Sequence, residues 1–167
     1  MALTHTGDGG APRMVDVGDK PETAREALAE AFLVVAPATL TEIRNGTGPK
    51  GDALQVAQLA AIQAAKRTPE LVPLCHPLRL SSVNVDIEMI EPDRIRVRAS
   101  VRAIERTGVE MEALTAALVG ALTLYDMVKA VDRAAVITGG RVLEKRGGKT
   151  GEWVAATASS DSGAPVR

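Results

Sequence analysis

The 167-residue sequence predicts an α+β fold in which helices pack on one face of an antiparallel sheet. Residues 83–89 and 95–101 alternate apolar and polar side chains, a pattern typical of half-buried strands. Residues 109–131 instead repeat apolar side chains every three or four positions, as an amphipathic helix does. Strands that alternate with packing helices are typical of a two-layer α+β sandwich.

The composition indicates one globular domain in a reducing compartment. With 46% apolar and 25% charged residues, a chain of this length can bury about 70% of its unfolded surface. The lone Cys75 excludes an internal disulfide, no apolar run approaches the roughly 18 residues of a membrane span, and the amino terminus lacks a signal-peptide core. We therefore expect a cytoplasmic protein. Residues 1–13 and 154–167 are small and polar, and they predict disordered tails around a domain spanning 14–153.

Charge and side-chain usage argue against several classes of function. The 20 basic and 21 acidic residues leave a net charge of −1, which disfavours nucleic-acid binding by the whole surface. Phe32, Tyr125 and Trp153 are the only aromatic residues, too scattered to stack the bases of a single strand. One cysteine and two histidines cannot supply the paired ligands of a zinc site. No metal or other cofactor is expected, although a requirement for Mg²⁺ is left open.

The first part of the domain predicts two short helices with a strand between them. A helix is expected at 20–30, because Pro21 and nearby acids suit a first helical turn, and the apolar run 32–35 predicts a strand. A second helix should begin at Pro37 and end at Asn45-Gly46.

A glycine-rich loop, 46–51, comes next in the chain. Asp52 can cap the following helix, which should run toward Lys66-Arg67. Three prolines make the segment 69–77 irregular.

A three-residue loop, 91–93, would join the two period-two stretches into a β-hairpin. The buried face would pair Met89 with Ile95 and Ile87 with Val97, and the outer face Glu88 with Arg96 and Asp86 with Arg98. Opposite charges across strands stabilise a sheet by about 0.2–1 kcal/mol, so both faces favour the same register.

The long helix should bury an apolar stripe formed by Met111, Leu114, Leu118, Ala121, Tyr125 and Val128. Glu112 and Asp126 project about 40° apart on the helix wheel, outside this stripe, and Lys129 lies at the edge of the stripe. Glu112 and Asp126 are nevertheless about 21 Å apart along the helix axis. If both contribute to one site, they serve opposite ends of a long ligand or a second subunit supplies one of them. One last strand, or a pair, is expected around Gly139-Gly140, before the loop 147–149.

Lysines and one acid are the first candidates for chemistry. Lys50 precedes a helix amino terminus, where anions are favoured, although the loop is not a Walker motif. Asp126 and Lys129 are either a surface ion pair worth a few tenths of a kcal/mol or an acid and a base within reach of one proton. His76 can bind phosphate, carry a proton or only stabilise a turn. Cys75 has no base beside it in the sequence, which favours a small buried residue over a nucleophile.

Seven motifs occur in an order that resembles one known family. They are Met14-Val15-Asp16-Val17, Lys50-Gly51-Asp52, 60–68, Leu74-Cys75-His76-Pro77-Leu78, 107–116, 125–131 and Gly147-Gly148-Lys149-x-Gly151. The ordered set covers about 14–152, essentially the whole domain, and closely resembles the cyclic pyranopterin monophosphate synthases. These proteins form the accessory protein C family of molybdenum cofactor (molybdopterin) biosynthesis.

The resemblance implies a ferredoxin-like fold and a lyase. Such enzymes convert 3',8-cyclo-7,8-dihydroguanosine triphosphate to cyclic pyranopterin monophosphate and release diphosphate. The family also implies a homohexamer, a trimer of dimers, with active sites at the dimer interface and no nucleic-acid or membrane partner.

The resemblance also assigns roles to individual residues. By motif, Asp126 matches the catalytic aspartate and Lys129 the essential lysine. The residues that match substrate-binding positions are Leu74, Cys75, His76, Glu110, Met111, Glu112, Lys50, Lys66 and Lys145. The sequence departs from the common pattern at Thr47-Gly48-Pro49, where the family often places a histidine, which affects the expected shape of the loop.

Two other functions use the same features. A nucleotide-sensing domain would bind the triphosphate through these cations without forming product. An RNA-binding domain would use Arg96, Arg98 and Arg102, but the predicted register already places Arg96 and Arg98 opposite acids. We therefore favour the synthase.

Overall fold

The computed structural model describes residues 10–46, 51–149 and 151–156 of the chain. Within them, the order of elements is β1 (Thr23–Val34), α1 (Pro37–Arg44), α2 (Ala53–Lys66), α3 (Thr68–Leu71), β2 (Leu80–Ile90), β3 (Arg94–Glu105), α4 (Glu110–Val128), β4 (Val136–Arg146) and β5 (Trp153–Val154). The strands form one antiparallel sheet in the order β2-β3-β1-β4-β5. Helices α2 and α4 pack on this sheet, which confirms the predicted α+β, ferredoxin-like architecture.

The predicted helix at 20–30 is wrong, because this segment is the first part of the central strand β1. Ala27, Ala29, Ala31 and Leu33 alternate along one face of the strand and are almost completely buried. Alanine, leucine and glutamate favour helices locally. Pairing with β3 on one side and β4 on the other outweighs that preference, since the segment is hydrogen-bonded as a strand along both edges.

The hairpin prediction is confirmed in all four pairs. Met89 pairs with Ile95, Ile87 with Val97, Glu88 with Arg96 and Asp86 with Arg98. Ile95 and Val97 are fully buried beneath the helices, and Arg96 forms an ion pair with Glu88 on the opposite face.

The predicted starts of two helices are also confirmed. Helix α1 has Pro37 in its first turn and ends before Asn45-Gly46. Asp52 caps α2 by accepting hydrogen bonds from the backbone N–H groups of Leu54 and Gln55, at 3.0 and 3.1 Å. The predicted glycine-rich loop falls largely on 47–50, which lie outside the described residues.

Helix α4 forms where predicted but ends at Val128 rather than Val131, and only Ala121 and Val128 of the predicted stripe are buried. Met111 and Leu118 are each 39% exposed, and Leu114 and Tyr125 are only partly buried. The fully buried positions are mostly small, and they include Ala113, Ala116, Ala117, Gly120 and Ala121. A Cβ on Gly120 would lie 2.8 Å from Val97 Cγ1 and 3.3 Å from Ala61 Cβ, so α4 packs too close to β3 and α2 for larger side chains.

Two further features concern α4 and the end of the chain. Helix α4 is long and apolar enough for a membrane span by length and composition, contrary to the expectation that no segment would be. More than half of it is buried inside the fold, as expected for a core helix. The predicted last strand or pair of strands is one long strand, β4, with an irregularity in its pairing to β1 near Gly139-Gly140, and the short strand β5 follows it.

Candidate functional site

The predicted site residues that the structure describes fall mainly into two groups at opposite ends of α4. We call Cys75, Glu110, Glu112 and Lys145 the amino-terminal cluster, because Glu110 and Glu112 lie in the first turn of α4. Asp126 lies near the carboxyl end of this helix, and Lys129 is its C-cap residue.

Glu112 and Cys75 form the buried part of the amino-terminal cluster. The Cys75 thiol donates a hydrogen bond to Glu112 Oε1, with 3.5 Å between sulfur and oxygen. Glu112 is only 1% exposed, and its Oε2 atom has no hydrogen-bond partner among the described residues. An unpartnered buried carboxyl oxygen is costly, so this atom is suited to a hydrogen bond with a bound ligand.

The protonation of this pair follows from its burial. Desolvation raises the pKa of Glu112 above its ordinary value, which favours the neutral acid. Desolvation, followed by the charge of Glu112, raises the pKa of Cys75 to about 11. Cys75 is therefore a thiol near neutral pH, and its environment supports the expectation that it is not a nucleophile.

A cavity of about 480 Å³ adjoins the cluster and is rich in cations. Lys145 and Glu110 both line it, with 3.3 Å between Lys145 Nζ and Glu110 Oε1. The basic residues around the cavity are Lys20, Arg25, Arg106, Lys145, Arg146 and Lys149. Arg106 and Arg146 also form ion pairs with acids outside the lining, but the six cations outnumber the one acid of the lining, Glu110, which favours a polyanionic ligand.

Arg25 and Arg106 are cavity residues that sequence reasoning missed. Arg25 donates hydrogen bonds to the backbone carbonyls of Glu105 and Arg106, each at 3.2 Å. These acceptors have no formal charge, so they orient the guanidinium without neutralising it. Gly148, at φ +74°, passes so close that a Cβ there would lie 1.9 Å from Arg25 Nη1. The glycine pair before Lys149 was the available signal, but its contact with Arg25 depends on the tertiary fold.

His76 lies next to Cys75 and holds the amino-terminal segment. Its Nε2 atom is 2.8 Å from the backbone oxygen of Val15. Because a carbonyl only accepts hydrogen bonds, Nε2 carries the proton, and Nδ1 is the acceptor in the neutral ring. Leu74 precedes this pair in the same irregular segment and is partly buried.

Asp126 and Lys129 form the second group. Lys129 Nζ lies 2.6 Å from Asp126 Oδ1, and the side chains are 52% and 53% exposed. The hydrogen bond that Lys129 donates to the Asp126 carboxylate, and then the negative charge of that carboxylate, raise the pKa of Lys129. The pair can exchange protons with a ligand that reaches it.

The distance between the two groups is set by α4 itself. Glu112 and Asp126 are separated by about 21 Å along the helix axis. One chain therefore does not bring the Asp126–Lys129 pair to the cavity beside Glu110.

The other predicted site residues are less closely grouped. Lys66 is exposed at the end of α2 and borders a shallow pocket with Leu78 and Leu80. Met111 projects from the first turn of α4, and Lys50 lies outside the described residues. In the part of the chain that the structure describes, no three His, Cys, Asp or Glu residues are grouped as metal ligands.

Comparisons with known proteins agree with this arrangement of motifs. The sequence model of the MoaC family matches residues 14–148. Two curated relatives, from Streptomyces coelicolor and Streptomyces avermitilis, are each 54% identical over 151 residues, covering 90% of this chain and 88% of the relative. Both are named cyclic pyranopterin monophosphate synthase. The matched segment contains both groups at the ends of α4 and all of the described cavity lining except Lys149, and the chain belongs to the MoaC family.

Proposed function

We propose that this protein is a cyclic pyranopterin monophosphate synthase of molybdenum cofactor biosynthesis. It would act as a lyase on 3',8-cyclo-7,8-dihydroguanosine triphosphate, forming cyclic pyranopterin monophosphate and diphosphate. The names of relatives that share 54% of their residues with this chain support the proposal.

The cation-lined cavity is the structural observation that carries the proposal. A triphosphate brings about four negative charges, which the surrounding lysine and arginine side chains would offset in a partly desolvated site. Arg25 is well suited to this role because it donates its hydrogen bonds to neutral carbonyls. Glu112, buried and favoured in its neutral form, could hydrogen-bond to the guanine-derived part of the substrate through Oε2.

Asp126 and Lys129 are the proposed catalytic pair. Opening and reclosing the guanine-derived ring requires protons to leave and return, and Asp126 would transfer them. Lys129 would act as its acid partner or, as an ammonium group beside Asp126, stabilise the departing diphosphate. In this proposal, side chains neutralise the negative charge of the phosphates. Activity measured with a chelator present would test whether Mg²⁺ also contributes.

A site shared between two subunits would bring the amino-terminal cluster of one subunit close to the Asp126–Lys129 pair of the other. Two subunits with α4 of one opposed to α4 of the other can bring the Asp126 end of one to the Glu110 end of its partner. Met111, Leu118 and Leu122 leave large apolar surfaces exposed on α4, which supports burial against a second copy. We propose that three such dimers assemble into the homohexamer that the family resemblance implies. We also propose that the protein acts in the cytoplasm.

The proposal is tested by incubating the purified protein with the cyclic nucleotide and measuring pterin product by mass spectrometry. Wild-type protein should form product, and Asp126→Asn should bind the nucleotide but lose turnover by about 100-fold or more. Glu91→Gln, an acid in the exposed hairpin loop, is the matched control and should keep full turnover. Tight binding of the nucleotide by wild-type protein without product would instead favour the nucleotide-sensing function.

A further inference from the structure

The turn that carries Lys129 is held at both ends by buried residues. Val128, the last residue of α4, is 3% exposed, and Asp132 is 8% exposed. The three residues between them, Lys129, Ala130 and Val131, are exposed. Within the turn, the backbone N–H groups of Val131 and Asp132 both donate to the carbonyl of Val128, at 2.9 Å.

Asp132 fixes the far end of this turn to another part of the fold. Its Oδ2 atom accepts a hydrogen bond from the backbone N–H of Ala36 at 2.7 Å and one from Thr39 Oγ1 at 3.2 Å. Ala36 is the N-cap residue of α1, and its own side chain cannot accept a hydrogen bond there. The Asp132 carboxylate therefore supplies the cap that α1 lacks, and its charge suits the positive end of that helix.

The contact also determines how freely Lys129 can move. Helix ends fray unless something holds them, and Lys129 is the C-cap residue of α4. Because α1 follows the central strand directly, the Asp132 contact joins the Lys129 turn to the rigid middle of the sheet. Without it, the turn would depend on Val128, the hydrogen bonds of the last helical turn and a 3.5 Å hydrogen bond from the Tyr125 hydroxyl to the Arg133 carbonyl.

We propose that Asp132 is a positioning residue, which holds the Lys129 turn against α1 so that Lys129 keeps its place beside Asp126 during turnover. The Oδ2 atom of Asp132 is already occupied by Ala36 and Thr39, so we assign Asp132 a role through these contacts and not through contact with substrate. The inference rests on the proposed function, since it assigns Asp132 a role through the catalytic pair.

Steady-state kinetics of three variants test the role. Asp132→Ala removes both hydrogen bonds, and we expect kcat to fall by about 10- to 100-fold with KM within about threefold of wild type. Asp132→Asn retains an oxygen that can accept from Ala36 N–H, and it should restore kcat to within about threefold. Leu40→Ala removes a buried side chain of α1 but leaves the Asp132 contact, so it is the control for a merely destabilised α1.

Activities are compared well below each melting temperature and corrected for the fraction of protein that binds GTP, used as a non-reacting probe. The positioning role is supported if corrected kcat falls in Asp132→Ala, returns in Asp132→Asn and stays near wild type in Leu40→Ala. Equal losses in Asp132→Ala and Leu40→Ala, or an unchanged kcat in Asp132→Ala, would overturn it. Absence of product from the wild-type protein would instead reject the proposed function, so the two failures are distinguishable.

Discussion

Mixing two inactive variants tests whether the site is shared between subunits. Lys145→Ala removes a cation beside Glu110, at one end of α4, and Asp126→Asn removes the carboxylate near the other end. About 24 Å of helix lie between Glu110 and Asp126 at 1.5 Å per residue. The two losses therefore affect different ends of the molecule, and only a second subunit can bring the intact ends together.

The expected recovery follows from counting sites. Each shared site takes Lys145 from one subunit and Asp126 from another. When equal amounts of the two variants exchange subunits at random, each of these residues is intact with a probability of one half, so about a quarter of the sites carry both. The mixture should therefore regain about a quarter of wild-type turnover, measured as pterin product by mass spectrometry. If each chain held a complete site, every site would carry one defect and no activity would return.

A matched mixture controls for unspecific recovery. Asp126→Asn and Lys129→Ala damage the same end of the helix, so a shared site receives one defect or the other whichever subunits meet. This mixture should stay inactive. Failure of the Lys145→Ala and Asp126→Asn mixture to recover, with subunit exchange proven by native mass spectrometry, would refute the shared site.

Three further predictions concern the amino-terminal cluster and its cavity. Burial raises the pKa of Glu112 above 4.5, so the folded protein keeps a proton on Glu112 at pH values where the unfolded chain has lost it. The contribution of Glu112 to the free energy of unfolding therefore decreases as the pH rises from about 4.5 through the folded pKa. Glu112→Gln should lack that decrease in urea unfolding between pH 4 and pH 7, and equal pH slopes for the two proteins would contradict the assignment. Because its pKa is about 11, Cys75 should react with iodoacetamide at pH 8 about 100-fold more slowly than free cysteine. The reaction of Cys75 should be faster in Glu112→Gln than in the wild-type protein. A wild-type rate equal to that of free cysteine would count against the burial of Cys75 beside Glu112. Gly148→Ala should displace the Arg25 guanidinium and so raise KM about tenfold. The same change strains a backbone at φ +74°, which should lower the free energy of unfolding by about 1–2 kcal/mol. An unchanged KM would show that Arg25 does not bind substrate.

Predictions that depend on neighbouring residues in the chain are confirmed in detail. The register of the β2–β3 hairpin follows from a period of two and from opposite charges, both visible over fewer than twenty residues. The Asp52 cap likewise depends only on nearby residues, because it accepts from the backbone N–H groups two and three positions further along the chain. Local rules do not suffice for β1, where an alanine-rich segment of helical preference becomes the central strand because two other strands pair with it.

The face of α4 that is buried also depends on packing. Periodicity favoured the large residues Met111 and Leu118, but where α4 closely approaches β3 and α2, at Gly120, a larger side chain does not fit. The cavity is surrounded by side chains from separate parts of the chain: Arg25 lies on β1, Arg106 follows β3, and Lys145 lies on β4. No local motif indicates that these three side chains surround one cavity.

The sequence by itself determined the family, the hairpin and the separation of Glu112 from Asp126, since the rise of a helix per residue is constant. Only the tertiary structure decided which cations surround the cavity and that Glu112 loses contact with water. Those outcomes depend on contacts between segments up to about 120 residues apart, and such contacts form only when the strands pair and α4 packs against them.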